Sequence, residues 1–165
     1  MKYTSILFLY IISFNIIGNK ILSFAEADAI STITKDDESE LCEAIKILNK
    51  NGGTIYINTP VINISSKCQV QLSGSKAGGL LGMKQPNGQY PSLNFKKVRN
   101  EKKKLGGVRI SGSNQFVKYL IIKFTGNKGI WITGYKNTVD HVISRNNDAS
   151  GIQHLLIPFS ECNPK

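Results

Sequence analysis

The sequence predicts an all-β fold. It is a right-handed parallel β-helix, a solenoid of coils about 22 residues long, with an N-terminal capping α-helix. Three observations predict it. Gly107, Gly129 and Gly151 recur every 22 residues, and the segments between them match column by column. From Gly53 onward apolar residues alternate with a period of two, as at Ile55 and Ile57 or Ile62 and Ile64. One stretch, Glu38–Lys50, instead spaces its apolar residues for a helix. Composition agrees: 41% hydrophobic residues exclude a wholly disordered chain, and 19% charged residues are too few for a coiled coil.

The first element is a targeting segment. Lys2 precedes an apolar run from Ile6 to Ile17, and Ser23-Phe24-Ala25 offers small residues where a signal peptidase reads. Ser13 and Asn15 interrupt the run, which is short for a bilayer span. Residues 1–25 therefore read as a signal peptide, and residues 26–165 as a secreted, extracellular domain with no stable membrane insertion after cleavage. Removal takes Lys2 and Lys20 and no acid, so the net charge falls from +10 to +8. The three cysteines, Cys42, Cys68 and Cys162, survive it. In an oxidising compartment an odd count leaves one over, and Cys42 with Cys68 is the preferred pair. Asn63-Ile64-Ser65 is a glycosylation sequon.

Next comes the helix. Asp36, Asp37, Glu38, Glu40 and Glu43 cluster at its start, where the macrodipole favours negative charge. They read as a solvated first turn rather than a metal site. Leu41, Ala44, Ile45 and Leu48 form the apolar stripe, and Gly52-Gly53 ends it. Coils begin at about residue 53. Short strands follow at Ile55–Ile57, Ile62–Ile64, Gln69–Leu72 and Gly78–Met83, with turn chemistry at Asn58-Thr59-Pro60 and Gln85–Gln89. Residues 95–104 hold six cations and one anion and read as an exposed loop that would attract an acidic polymer.

The repeat units are GVRISGSNQFVKYLIIKFTGNK and GIWITGYKNTVDHVISRNNDAS, with a third that begins GIQHLLIP. Ile110/Ile132, Gly112/Gly134, Val117/Val139 and Ile121/Ile143 match identically. A unit this short with two or three strands cannot bury an apolar face alone, whereas stacked coils can. Glycine at a fixed column suggests a corner with positive φ. A leucine-rich framework is missing, and propeller blades need about twice the length.

From Gly107 to Gln153 the chain resembles the core coils of pectate lyases of polysaccharide lyase family 9. The matching segments are Gly129-Ile130-Trp131-Ile132-Thr133-Gly134, Asn137-Thr138-Val139 and Asn146-Asn147-Asp148-Ala149-Ser150-Gly151-Ile152-Gln153. The last is similar to the family's Asn-x-Asp-x-Gly-Leu/Ile-Gln segment, except that two residues, Ala149 and Ser150, separate Asp148 from Gly151. The resemblance implies a secreted β-helix protein, calcium as cofactor, and β-elimination of polygalacturonate. It implies Asp148 as the metal-ligand candidate. It also implies that the calcium aspartates and the lysine base belong to coils after Gln153, where no Asp occurs in this sequence.

The chemistry sets the expectation. Elimination beside a uronate needs a base for the C5 proton and a cation on the carboxylate. Asp140, Asp148 and Glu161 are dispersed, and no lysine stands in a recognisable base motif, so no catalytic residue is assigned. The chain is expected to be an incomplete and inactive N-terminal part of a pectate-lyase-like protein. The alternative is a non-catalytic β-helix carbohydrate-binding or cell-surface protein. A polygalacturonase would require paired aspartates, which these coils lack.

A binding surface is nevertheless expected. Arg109, Trp131 and Gln153 share the third column of the repeat and should stack as one outward ladder. Arginine pairs bidentately with carboxylates and tryptophan packs on sugar faces, which suits the acidic polysaccharide polygalacturonate. Nucleic acid is not an expected partner of a secreted chain without basic-aromatic interleaving. His141 is expected to be buried and hydrogen-bonded. Ile130, Ile132, Val139 and Ile143 are expected to form the interior of the last full coil.

Overall fold

The computed structural model describes residues 29–65, 69–95 and 106–155. Residues 1–25, which the sequence reads as a signal peptide, Cys68, Cys162 and the cationic run at 96–104 lie outside the described residues. Strand β1 (Ala29–Ile33) is followed by helix α1 (Glu38–Asn51) and by β2 (Gly53–Ile57), β3 (Val61–Ile64) and β4 (Gln71–Leu72). The chain continues through β5 (Gly78–Gly82), β6 (Ser92–Phe95), β7 (Val108–Ile110), β8 (Gln115–Lys118), β9 (Ile121–Lys123) and β10 (Ile130–Ile132). It ends in β11 (Thr138–Asp140), β12 (Ile143–Arg145) and β13 (Ile152–His154).

The described strands form three sheets, and every strand pairing is parallel. Sheet A runs β1-β2-β5-β8-β11, sheet B runs β3-β6-β9-β12, and sheet C runs β4-β7-β10-β13. Each circuit of the chain adds one strand to each sheet in turn. The protein is thus mostly β, with parallel sheets and one short helix near the start, an arrangement compatible with a parallel β-helix.

The repeat read from the sequence is the register of this stack. Val108, Ile130 and Ile152 stand side by side, as do Val117 with Val139 and Ile121 with Ile143. Earlier circuits are longer. Gly53 pairs with Gly78 and Leu93 with Ile122, because turns such as the one around Pro86–Gly88 are inserted between strands. Inside, Ile55, Leu80 and Val117 line sheet A, Ile62, Leu93 and Ile122 line sheet B, and Leu72 and Ile110 line sheet C, all fully buried.

The helix covers one end of this interior. Its buried Leu41, Ala44, Ile45 and Leu48 pack into the core, and it touches β3 and β4, the edge strands of sheets B and C. Asp37 is its N-cap, accepting from the backbone N–H of Ser39 (2.8 Å) and Glu40 (3.1 Å). Gly52, at φ 76°, ends it. The acidic cluster is not simply a solvated turn. Asp36 accepts from the backbone N–H (2.7 Å) and side chain of Asn63, and Glu38 accepts from the backbone N–H (2.9 Å) and hydroxyl (2.7 Å) of Ser65. The two carboxylates latch the cap onto the end of β3. Both polar residues of the sequon are therefore engaged in holding the helix. β1 has no counterpart in the sequence reading. It extends sheet A beyond β2, with a register irregularity between Ala29 and Ser31 that breaks the simple alternation.

The repeat glycines serve a different purpose from the one expected. Gly107, Gly129 and Gly151 do not have positive φ. A Cβ on Gly107 would collide with the carbonyl of Gly129, and one on Gly134 with the carbonyl of Gly112. Close approach of successive circuits is the constraint. Positive φ falls instead on six non-glycine residues, in pairs one repeat apart: Asn114 with Lys136, Tyr119 with His141, and Phe124 with Asn146. These pairs mark the three corners between sheets. Left-handed backbone costs a non-glycine residue roughly 1–2 kcal/mol, partly offset in a glycine variant by about 0.5–1 kcal/mol of unfolded-state entropy. Lys136 is exposed at φ 54°, so Lys136→Gly should leave stability unchanged or raise it by up to about 1 kcal/mol, read as the thermal midpoint. A marked loss would mean that this corner is not left-handed.

Candidate functional site: the outer face of sheet C

Strands β7, β10 and β13 alternate inward and outward residues. Val108, Ile110 and Ile130 are buried, while Arg109 and Trp131 beside them are half-buried on the other face; in β13, the last described strand, Gln153 is half-buried between the exposed Ile152 and His154. The register sets Trp131 directly opposite Arg109 on one side and Gln153 on the other. Gln71 of β4 lies opposite Arg109 and begins the column. The sheet thus brings together residues 22 apart in sequence at the strand spacing of about 4.8 Å.

The column is tied together at its centre. The Arg109 guanidinium lies 4.8 Å from the Trp131 ring centroid, and the Lys128 ammonium lies 4.4 Å from it. Both are cation–π distances. With Gln69, Asn127 and the backbone of Gly106–Val108 these residues line a cleft of about 120 Å³. Two atoms of the column lack a hydrogen-bond partner among the described residues although buried: Arg109 Nε, a donor, and Gln153 Oε1, an acceptor. At the other end of the column, Gln71 Nε2 donates to Ser111 Oγ at 3.1 Å. Sequence reading missed Lys128. It belongs to the turn before Gly129, where the preceding repeat has Gly106 and the next Ser150, so no column of like residues marks it.

The other candidates lie apart from this face. Asp148 is exposed at the corner between sheets B and C, and its backbone N–H donates to the Thr125 carbonyl at 3.1 Å. Calcium takes six to eight oxygens, usually from several carboxylates. No group of three or more His, Cys, Asp and Glu side chains placed to hold a metal ion occurs among the described residues, so Asp148 is not part of such a cluster. Its motif neighbours act structurally. Asn147 Oδ1 accepts from the Thr125 hydroxyl (3.0 Å), and Asn147 Nδ2 donates to Ser144 Oγ (2.9 Å). At the corner before β11, Asn137 plays a similar part: it accepts from the Gln115 backbone N–H (2.9 Å) and donates to the Gly112 carbonyl (3.0 Å).

Two sequence expectations are corrected. His141 is exposed, not buried. It sits at φ 49°, its Nδ1 lies 2.6 Å from Asp140 Oδ1, and its ring packs 4.9 Å from that of Tyr119. Ile143 faces outward and is 51% exposed. The left-handed corner at His141 shifts the alternation by one residue, so Ser144 takes the inner position beside Ile122 and donates to the Gly151 carbonyl at 2.8 Å. Ile130 is buried as expected, and Ile132 and Val139 pack partly buried against the core.

A larger cleft of about 500 Å³ runs along α1 beside β4, past Cys42, Glu43, Lys46 and Asn49. Its groups already serve the fold: Lys46 pairs with Glu43 (2.6 Å), Asn49 bonds the backbone of Gln71 and Ser73, and Cys42 is disulfide-bonded. No helix among the described residues is long and apolar enough to cross a membrane. Compared with family models, with curated proteins and with solved structures, the chain returns no match.

Proposed function

We propose that this chain is a secreted, pectate-lyase-like protein with a right-handed parallel β-helix, which binds polygalacturonate on the outer face of sheet C and does not cleave it. The observation that carries the reading is the register column Arg109–Trp131–Gln153 with Lys128 beside the indole. A galacturonate unit presents a carboxylate, an apolar ring face and hydroxyls. Arg109 and Lys128 supply two cations for the first, Trp131 an apolar surface for the second, and the Gln153 carboxamide a partner for the third.

Binding without cleavage is favoured by the carboxylates. Calcium-assisted elimination in the parent activity needs clustered acids and a base, and the described acids are latched to the cap, paired along α1 or dispersed over the last circuits. The signal-peptide reading of residues 1–25 and the bonded Cys42 favour an oxidising, extracellular setting.

The test is affinity for polygalacturonate at low salt. Removing two surface cation contacts of up to about 1 kcal/mol each in Arg109→Ala/Lys128→Ala should weaken it roughly tenfold. Fully methyl-esterified polymer should bind far less. The wild-type chain should release no unsaturated uronate with or without calcium. Equal binding by the double variant, or calcium-dependent product, would overturn the reading.

A further inference from the structure

We infer that the outer face of sheet B is a second docking surface for a linear acidic polysaccharide. The partner class rests on the reading above, but the observation is separate. On this face Lys123 of β9 stands directly opposite Arg145 of β12. Like charges in register on neighbouring strands repel. Among the described residues no carboxylate lies within ion-pair distance of either side chain. Arg145 is exposed and Lys123 half-exposed, so both are open to a ligand.

The neighbouring outward column is apolar. Ile121 stands opposite Ile143, which is half exposed although it is a large β-branched side chain. At the corner beside that column, Tyr119 and His141 stack in the same register sense. Across sheet B the surface therefore passes from rings to isoleucines to cations. Such a strip matches a polymer that carries an apolar ring face along one side and carboxylates along the other. The strand spacing of about 4.8 Å brings the two cations to roughly the length of one sugar ring. Sheets B and C are separate faces, so the surface is not an extension of the Trp131 column.

The experiment compares the purified full chain with Lys123→Ser/Arg145→Ser, Arg109→Ala/Lys128→Ala and the fourfold variant, each titrated with polygalacturonate at low salt. With a polymer long enough to engage both faces at once, loss of two exposed ion contacts predicts about a fivefold weaker affinity for Lys123→Ser/Arg145→Ser, and the same factor again in the Arg109→Ala/Lys128→Ala background. Because the native pair repels, its thermal midpoint should not fall. Unchanged affinity in both backgrounds overturns the inference while leaving the sheet C reading intact. Loss only through Lys123 and Arg145 supports the inference and overturns the sheet C reading. Binding to anionic phospholipid vesicles that depends on Lys123 and Arg145, without their affecting polygalacturonate, would assign the face to a membrane surface and overturn the inference.

Discussion

Leu48→Ala should lower stability by about 3 kcal/mol, a shift of about 9 °C in the thermal midpoint for a domain of this size. Leu48 is fully buried, and its Cδ1 lies where a side chain on Gly78 would have to go. The helix has no alternative packing there, because Gly78 and Gly53 pair as the first residues of their strands. Truncation would leave a cavity between the cap and sheet A. Ile47, the preceding residue, is 47% exposed. Ile47→Ala should change stability by less than about 0.5 kcal/mol. Calorimetry of the two variants separates a cap that seals the interior from a helix that merely lies on the surface.

Gly134→Ala should cost at least about 3 kcal/mol, the upper end of ordinary overpacking. The added Cβ would overlap the Gly112 carbonyl and press the Asn137 carboxamide that bonds the same carbonyl. Relief requires moving two successive circuits apart, which breaks the ladder rather than one contact. Gly106→Ala is the control. Its Cβ would meet nothing closer than the Lys128 carbonyl at 3.6 Å, so the change should lie within about 0.5 kcal/mol. Urea denaturation of both variants checks the pair.

The elements that were legible in sequence owe it to strict repetition or strict amphipathicity. Gly107, Gly129 and Gly151 revealed the circuit length, the first two because the backbone of the next circuit passes where a Cβ would stand. Leu41, Ala44, Ile45 and Leu48 revealed the helix because one face alone is buried. What failed to show was local backbone conformation. Tyr119 and Phe124 are not residue types that announce a left-handed corner, and a single His141 is a weak signal of one, yet each has positive φ and resets the inside–outside alternation after it. Simple alternation therefore points Ile143 inward, whereas it faces out, and it does not settle where His141 points. The ties of Asp36 to Asn63 and Glu38 to Ser65 were hidden for another reason. They join residues 27 apart in sequence across the packed cap, and no periodicity connects them. The Arg109–Trp131–Gln153 column was readable from register, whereas Lys128 was not, because it enters the cleft from a turn.

Trp131 is the single tryptophan of the chain, so its fluorescence reports on the sheet C face without a label. Titration with oligogalacturonate at low salt should change its emission saturably. The change should weaken steeply by 0.5 M salt, where screening acts over only a few ångströms, about 4 Å. A neutral glucan should leave the emission unaltered. An emission unchanged by millimolar oligogalacturonate, or altered equally by the neutral glucan, would contradict the account.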